Sequence, residues 1–265
     1  MGRGDGSLAT RRICCVVEYL GAAYAGFQRQ PGKVTVQATL EKAIAGVTQE
    51  ATRVIGSGRT DAGAHALHQV VAFSTSSALP AQTLQRAINA HLPSDVAVIE
   101  AREVGEDFHP RFDARSRTYR YLIWNRETRS PFWNGRAAHV ARPLDEGLMD
   151  LAAQELLGSH DFGSFVPTAL PGSHERQMHA ARCWREEHLV VVELRATGFM
   201  RQMVRSIVGT LLLVGHGKID VAALREIVSS RNRHLAGTTA PACGLYLYDV
   251  QYAAGTGSTT PQEME

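Results

Sequence analysis

The run Gly56-Ser57-Gly58-Arg59-Thr60-Asp61-Ala62-Gly63-Ala64-His65-Ala66 sets a carboxylate, a guanidinium and an imidazole among three glycines and three alanines. Glycine tolerates positive φ and lets another backbone, or a substrate, approach closely. Small neighbours leave room around Asp61, and Arg59 can grip a phosphate or carboxylate through two parallel hydrogen bonds. A turn that only reversed the chain would not need so many small residues around charged ones. The plainer reading is a surface loop whose Asp61 caps the next element. Two sharper rivals fit poorly. Asp61, His65 and His68 stand four and then three residues apart on a loop running into a strand, a spacing that does not bring all three to one face for a metal. The Gly-Lys-Ser/Thr ending of a phosphate-binding Walker loop is missing.

Composition frames this loop. The 265 residues are 44% hydrophobic and 20% charged, the balance of a globular chain large enough for one or two domains. Net charge is only +2, so nucleic-acid binding would have to come from local patches. The four cysteines, Cys14, Cys15, Cys183 and Cys243, form no CxxC pair, and the adjacent two sit in an apolar run that reads as buried strand. No stretch approaches the roughly 20 apolar residues of a membrane span. The polar ends at 1–10 and 253–265 read as disordered tails, without a hydrophobic leader, and cytoplasm is the expected compartment.

The elements that must position the loop emerge from periodicity. Residues 12–19 (RICCVVEY) form an apolar strand. Val36, Leu40, Ile44 and Val47 recur at helical spacing behind Thr35, a natural N-cap. A short strand at 52–55 leads into the glycine-rich loop, and 68–75 leads out, so the loop should join antiparallel neighbours. Pro80 opens a helix carrying Leu84, Ala87, Ile88 and Leu92, and Pro93 stops it. A strand at 96–104 comes next. The second half repeats this order: a strand at 118–125, a helix at 145–157 with Leu148, Ala152 and Leu156 inward and Gly158 as stop, strands at 181–185 and 189–197 across the Glu186-Glu187-His188 turn, a strong helix at 200–214, a shorter one at 220–229, and a closing strand at 245–252.

Strand, helix, strand, strand, helix, strand, occurring twice, predicts an α+β chain of two ferredoxin-like βαββαβ units, at 11–106 and 107–252. Joined at an edge they would make one larger mixed or antiparallel sheet, with helices on one face and the catalytic cleft on the other. That architecture hosts many functions, RNA binding among them.

The loop resembles the signature of the tRNA pseudouridine synthase A family. The likeness continues through Ile88-Asn89-Ala90-His91-Leu92-Pro93, Phe108-His109-Pro110-Arg111-Phe112 with Tyr119-Arg120-Tyr121, Asp161-Phe162-Gly163-Ser164-Phe165, Met203-Val204-Arg205-Ser206-Ile207-Val208-Gly209, and Ala240-Pro241-Ala242-Cys243-Gly244-Leu245-Tyr246-Leu247. These stretches keep the family's order across about residues 12–252. One departure stands out: the first strand ends Tyr19-Leu20-Gly21 where the family usually has Tyr-Asp-Gly.

The resemblance implies the pseudouridine synthase fold and an isomerase, an intramolecular transferase that converts uridine to pseudouridine in the anticodon arm of tRNA at positions 38, 39 and 40. The N1–C1′ bond breaks, C5 bonds to C1′, and a proton leaves C5; with no redox change or group donor, no cofactor and no metal are expected. Asp61 is the family's catalytic carboxylate, the nucleophile, for which attack on C1′, addition at C6 and removal of the 2′ proton are three chemically sound routes. Tyr119 matches an active-site tyrosine that stacks on the uracil or takes the C5 proton; its plainer role is an aromatic neighbour of Tyr121 on one strand face. Arg59 would contact the RNA or fill the space left by a flipped base. Arg205, four residues after Arg201 on one helical stripe, is expected to pair with Asp61 and hold it oriented as a carboxylate. Substrate contacts are expected from Tyr119, Arg59, His65, Phe27 and Gln28. Phosphate contacts fall to Arg29, Arg111, Arg115, Arg117, Arg120 and the Arg231-Asn232-Arg233-His234 run. A homodimer is implied, since an anticodon arm and the body of a tRNA lie far apart. The alternative is a non-catalytic RNA-binding protein of the same fold.

Overall fold

A computed structural model describes residues 10–167 and 172–253. Apart from Thr10 and Ala253, the expected tails lie outside these described residues. The first half runs β1 (Arg11–Tyr19), α1 (Val36–Thr48), β2 (Ile55–Gly56), β3 (His65–Thr75), α2 (Ala81–Asn89) and β4 (Val96–Val104). The second runs β5 (Ser116–Trp124), β6 (Ala138–His139), α3 (Glu146–Gln154), β7 (Gly158–Asp161), β8 (Glu175–Glu186), β9 (Leu189–Ala196), α4 (Met203–Gly215), α5 (Val221–Ser230) and β10 (Leu245–Gln251).

The helix starts obey local chemistry. Thr35, Asp145 and Asp220 each accept a hydrogen bond from the backbone N–H three residues on, meeting donors the first turn would otherwise leave unpaired. Two expectations need correction. The inward face of α3 is Met149, Ala152 and Ala153, with Leu156 just beyond, and Leu148 is 39% exposed. Positions 149, 152, 153 and 156 satisfy the helical period better than 148, 152 and 156, and the Met149 thioether packs where Gly215 leaves no side chain. In addition, α4 begins at Met203 because Gln202 is left-handed (φ 61°), so Arg201 lies outside the helix and does not share a stripe with Arg205.

One sheet carries everything, in the order β4-β1-β3-β10-β5-β9-β8-β7, with β2 added to β3 and β6 to β5. Counted within each half, β4-β1-β3-β2 and β10-β5-β9-β8 are the same arrangement of four strands, the ferredoxin-like order met twice. The halves join where β10 runs parallel to the start of β3, Tyr246 beside His65 and Leu247 beside Ala66. The same edge of β3 takes β2 farther along, at Ala72 and Val71, while β1 occupies the opposite edge. The edge thus forks between β2 and β10, and residues 57–64 loop out of the fork.

The cleft does not lie opposite the helices, as expected, but on their face. Arg185 of β8 bonds Glu146 of α3, and the strand registers carry that face through Val190 to Ile123, hence to Tyr121 and Tyr119 two residues apart. Each helical set covers its own half of the sheet, and the cleft is lined from both, by Gln37 of α1 and by Met203, Val204 and Arg205 of α4. No helix among the described residues is long and apolar enough to cross a membrane.

Candidate active site

The loop at the fork is tied on every side. The Ser57 N–H donates to Val70 O (2.8 Å), the Ser57 hydroxyl to Gln69 Oε1 (2.7 Å), and Gln69 Nε2 to Gly58 O (2.9 Å). Tyr19 shares a hydrogen bond with Thr60 Oγ1 (2.8 Å), the Phe27 N–H donates to Thr60 O (3.2 Å), and the Gly63 N–H to Tyr24 O (3.3 Å). The segment after β1 therefore lies backbone to backbone against the loop. That contact explains glycines outside the signature as well as within it. A Cβ on Gly21 would fall 1.8 Å from Ala64 O, and Gly26 (φ +93°) would meet Thr60 O at 2.7 Å.

Asp61 projects from this loop into a cleft of about 1440 Å³. Its Oδ2 accepts from Arg205 Nη1 at 2.7 Å, with the two side chains 26% and 16% exposed. Arg205 is held in turn: its Nε donates to Ala240 O (2.7 Å), and its own carbonyl accepts from the Ala240 N–H (3.0 Å). The segment bearing Ala240 reaches α4 because Gly209 has no side chain; a Cβ there would lie 1.8 Å from Thr238 O. So the Met203–Gly209 and Ala240–Leu247 stretches, 35 residues apart at the Arg205–Ala240 contact, act together to aim one guanidinium.

Tyr119 forms part of the cleft wall, edge-on to Phe199 at 5.0 Å. Burial pushes its phenol up to about 12; Arg117 opposes the shift and Asp61 adds to it. The free site therefore holds Tyr119 as a neutral hydroxyl. Arg59 is exposed on the cleft wall and, among the described residues, has no hydrogen-bond or ion-pair partner. Gln28 is half-buried on the same wall, and Phe27 is a buried wall residue whose ring fills the space beside Gly56.

His65 stands apart from these. It is 1% exposed at the β3–β10 seam, stacked on Tyr246 with ring centroids 4.6 Å apart. The Gly21 N–H donates to its Nδ1 (3.0 Å), which leaves Nε2–H to donate to Cys243 O (3.1 Å). Burial lowers its pKa, consistent with this neutral tautomer. His65 joins the two halves of the sheet and is absent from the cleft lining. With Asp61 turned to Arg205 and His65 to Gly21 and Cys243, the two share no ligand position.

A family model described as tRNA pseudouridine synthase matches residues 15–113 and 152–253. The chain belongs to the tRNA pseudouridine synthase family. Relatives each named tRNA pseudouridine synthase A include one from Rhodospirillum rubrum, 44% identical across 93% of this chain and 90% of its own. Another, from Acetivibrio thermocellus, is 42% identical across 91% of this chain and all of its own, and one from Colwellia psychrerythraea is 41% identical across 91% and 93%.

In this pseudouridine synthase the arginines divide by partner. Arg120 alternates to the other sheet face, where it pairs with Glu193 (2.8 Å) and lies 3.6 Å from the Tyr248 ring, so it does not face the cleft. Arg233 donates to Ala236 O, Gly237 O and Thr239, holding the segment that carries Ala240. Arg117 donates to Ser57 O (3.1 Å), Thr197 O (3.0 Å) and Arg111 O (2.5 Å), bracing the glycine-rich loop against two others. Arg111 remains exposed on the cleft wall, and Arg29 is exposed beside the wall residues Gln28 and Gln30, its guanidinium 3.4 Å from Glu41. Sequence reasoning missed Phe199 and Gln69; Gly198-Phe199 before a helix, and a glutamine inside an apolar strand, were the available signals.

Proposed function

We propose that this chain isomerises uridine to pseudouridine in the anticodon arm of tRNA, at positions 38, 39 and 40, with Asp61 as the essential carboxylate. The observation that carries this reading is the 2.7 Å Asp61–Arg205 pair on a cleft that also presents Tyr119 and an Arg59 unpaired among the described residues, in a chain of this family. The target base must leave its stack, at a cost of about a few kcal/mol. Stacking on Tyr119, with Arg59 filling the vacated space, offsets that cost. A carboxylate suits attack on C1′, addition at C6 and removal of the 2′ proton alike, and Arg205 holds that of Asp61 in place. The N1–C1′ bond breaks, C5–C1′ forms, C5 gives up one proton and N1 gains one, so the reaction balances without a cofactor. Tyr119, a neutral phenol in the free enzyme, serves first as platform and hydrogen-bond donor, and takes the C5 proton only if a bound intermediate lowers its pKa. Phe27 and Gln28 shape the wall. We read 11–106 and 107–252 as the two units, and the working form as a cytoplasmic homodimer whose second copy offers distant docking contacts for the tRNA body.

Tritium release from C5-labelled uridine in tRNA tests this. Release by the native chain and none by Asp61→Ala, with tRNA binding retained, is the expected result. Binding without release by the native chain would favour the non-catalytic RNA-binding reading, and equal release by both would remove Asp61 from the chemistry.

A further inference from the structure

Phe112 lines the cleft yet is 74% exposed, an unusual position for a ring that burial ordinarily stabilises. Single exposed apolar residues are common and mean little by themselves. This one differs because the turn beneath it is fixed at every peptide. The His109 N–H donates to Asp113 Oδ2 (2.8 Å) and the Asp113 N–H returns to His109 O (3.1 Å). The N–H groups of Arg111 and Phe112 both point at His109 Nδ1 (3.2 and 3.3 Å). Two anchors tie the turn to the sheet: the Tyr252 hydroxyl donates to Pro110 O in a buried bond (2.7 Å), and Arg117 donates to Arg111 O in an exposed one (2.5 Å). The ring rests against His109 with centroids 4.3 Å apart, and the Arg111 guanidinium lies 5.6 Å from its centre. Phe132 is still more exposed but does not line the cleft.

We infer that Phe112, backed by His109, is a stacking platform for the nucleobase next to the target uridine, with Arg111 meeting the phosphate between them. This rests on the proposed RNA substrate. An aromatic face with a guanidinium beside it is how single-stranded RNA bases are held without sequence preference. The cleft then has two aromatic levels: Tyr119, 7% exposed, for the base that enters, and Phe112 at the rim for the base that stays outside. A rigid turn suits this role because stacking on a pre-set ring loses little conformational freedom.

The test uses anticodon-arm RNAs carrying 2-aminopurine immediately 5′ or immediately 3′ of the target uridine. Binding of the native chain should quench the probe at one of the two positions. Phe112→Ala should lose that quench and raise KM about 5- to 10-fold with kcat nearly unchanged, while Phe112→Trp keeps both. The slope of affinity against salt should not move, because no charge is removed. Equal quenching and equal KM in Phe112→Ala and the native chain would overturn the platform while leaving the isomerase reading intact. Failure of the native chain to make pseudouridine in these RNAs or in full tRNA would overturn the isomerase reading, and this one with it.

Discussion

Replacing Arg205 by methionine removes the partner that the Asp61 carboxylate has among the described residues while keeping the length of an apolar stem. The guanidinium makes two charge-assisted bonds of 2.7 Å, to Asp61 Oδ2 and Ala240 O. Breaking a fully buried pair costs about 3–5 kcal/mol. Asp61, at 26% exposed, can recruit water in place of the lost donor, so the expected loss is nearer one hydrogen bond to a charged group, about 2–3 kcal/mol. For a chain of this size that lowers Tm by about 4–10 °C. The larger effect is on rate. An Asp61 free to swing by about 1 Å should lose roughly 100-fold in kcat, with KM within about 3-fold, since Arg205 acts through Asp61. Arg205→Lys restores a charge beside Asp61 but has no second donor for Ala240 O, and should recover about tenfold of the loss. Single-turnover tritium release at saturating enzyme, well below the lowered Tm, reads these values. A methionine variant with kcat within about 3-fold of native would refute the positioning argument, and a lysine variant no better than methionine would show that charge is not what orients the carboxylate.

Other contacts set further outcomes. Gly21→Ala places a methyl 1.8 Å from Ala64 O, a backbone atom that cannot rotate away, so we expect about 3 kcal/mol of destabilisation by denaturant titration and a sharp fall in turnover. Arg117→Met should cost about 2–3 kcal/mol in the same titration by freeing three loop carbonyls. It should leave the salt dependence of tRNA binding unchanged, whereas Arg29→Met should shallow that slope by about one ion. Burial lowers the pKa of His65, so the folded chain binds fewer protons there than the unfolded one. Its contribution is complete above the ordinary 6.5 and fades as pH falls below it, so stability should drop more steeply from pH 7 to pH 5 in the native chain than in His65→Gln. Tyr119 and Tyr246 act in the opposite direction at high pH. Both are pushed by burial up to about 12, so their contribution holds below pH 10 and is lost between 10 and 12. Thermal melts across the two ranges check both signs.

Much of this molecule is legible in local pattern because local pattern is where its causes lie. The apolar repeat of α1 and the Thr35 cap need no distant partner, and neither does the tight reversal between β8 and β9, where Glu187 takes φ 52°. The repeated element order is a sum of such local features, so the doubled ferredoxin-like plan could be read in advance. The strand expected at 52–55 is present as β2 but shifted to Ile55–Gly56, and the two-residue β6 could not be read at all, since so short a segment carries no period and is defined only by its neighbour. The glycine-rich loop announced Asp61 and Arg59 by composition, and the resemblance supplied Tyr119 and Arg205. The joining of Asp61 to Arg205 across 144 residues depends on the Ala240 segment, which holds the guanidinium and passes close to α4 at Gly209.

What tertiary structure alone decided is which way each residue faces. Strand alternation says that Tyr119 and Arg120 part company, but only helix packing on β5 and β8 says that the tyrosine has the cleft and the arginine the far side. His65 and Asp61 are four residues apart in one motif, yet the parallel seam with β10 closes over the imidazole and leaves the carboxylate open. The sequence by itself determined the elements, because propensity, capping and period act over a few residues. The assignment of charges to cleft, strut or far face belongs to the fold, because it depends on contacts between segments far apart in the chain, 73 residues for Arg120–Glu193 and 144 for Asp61–Arg205.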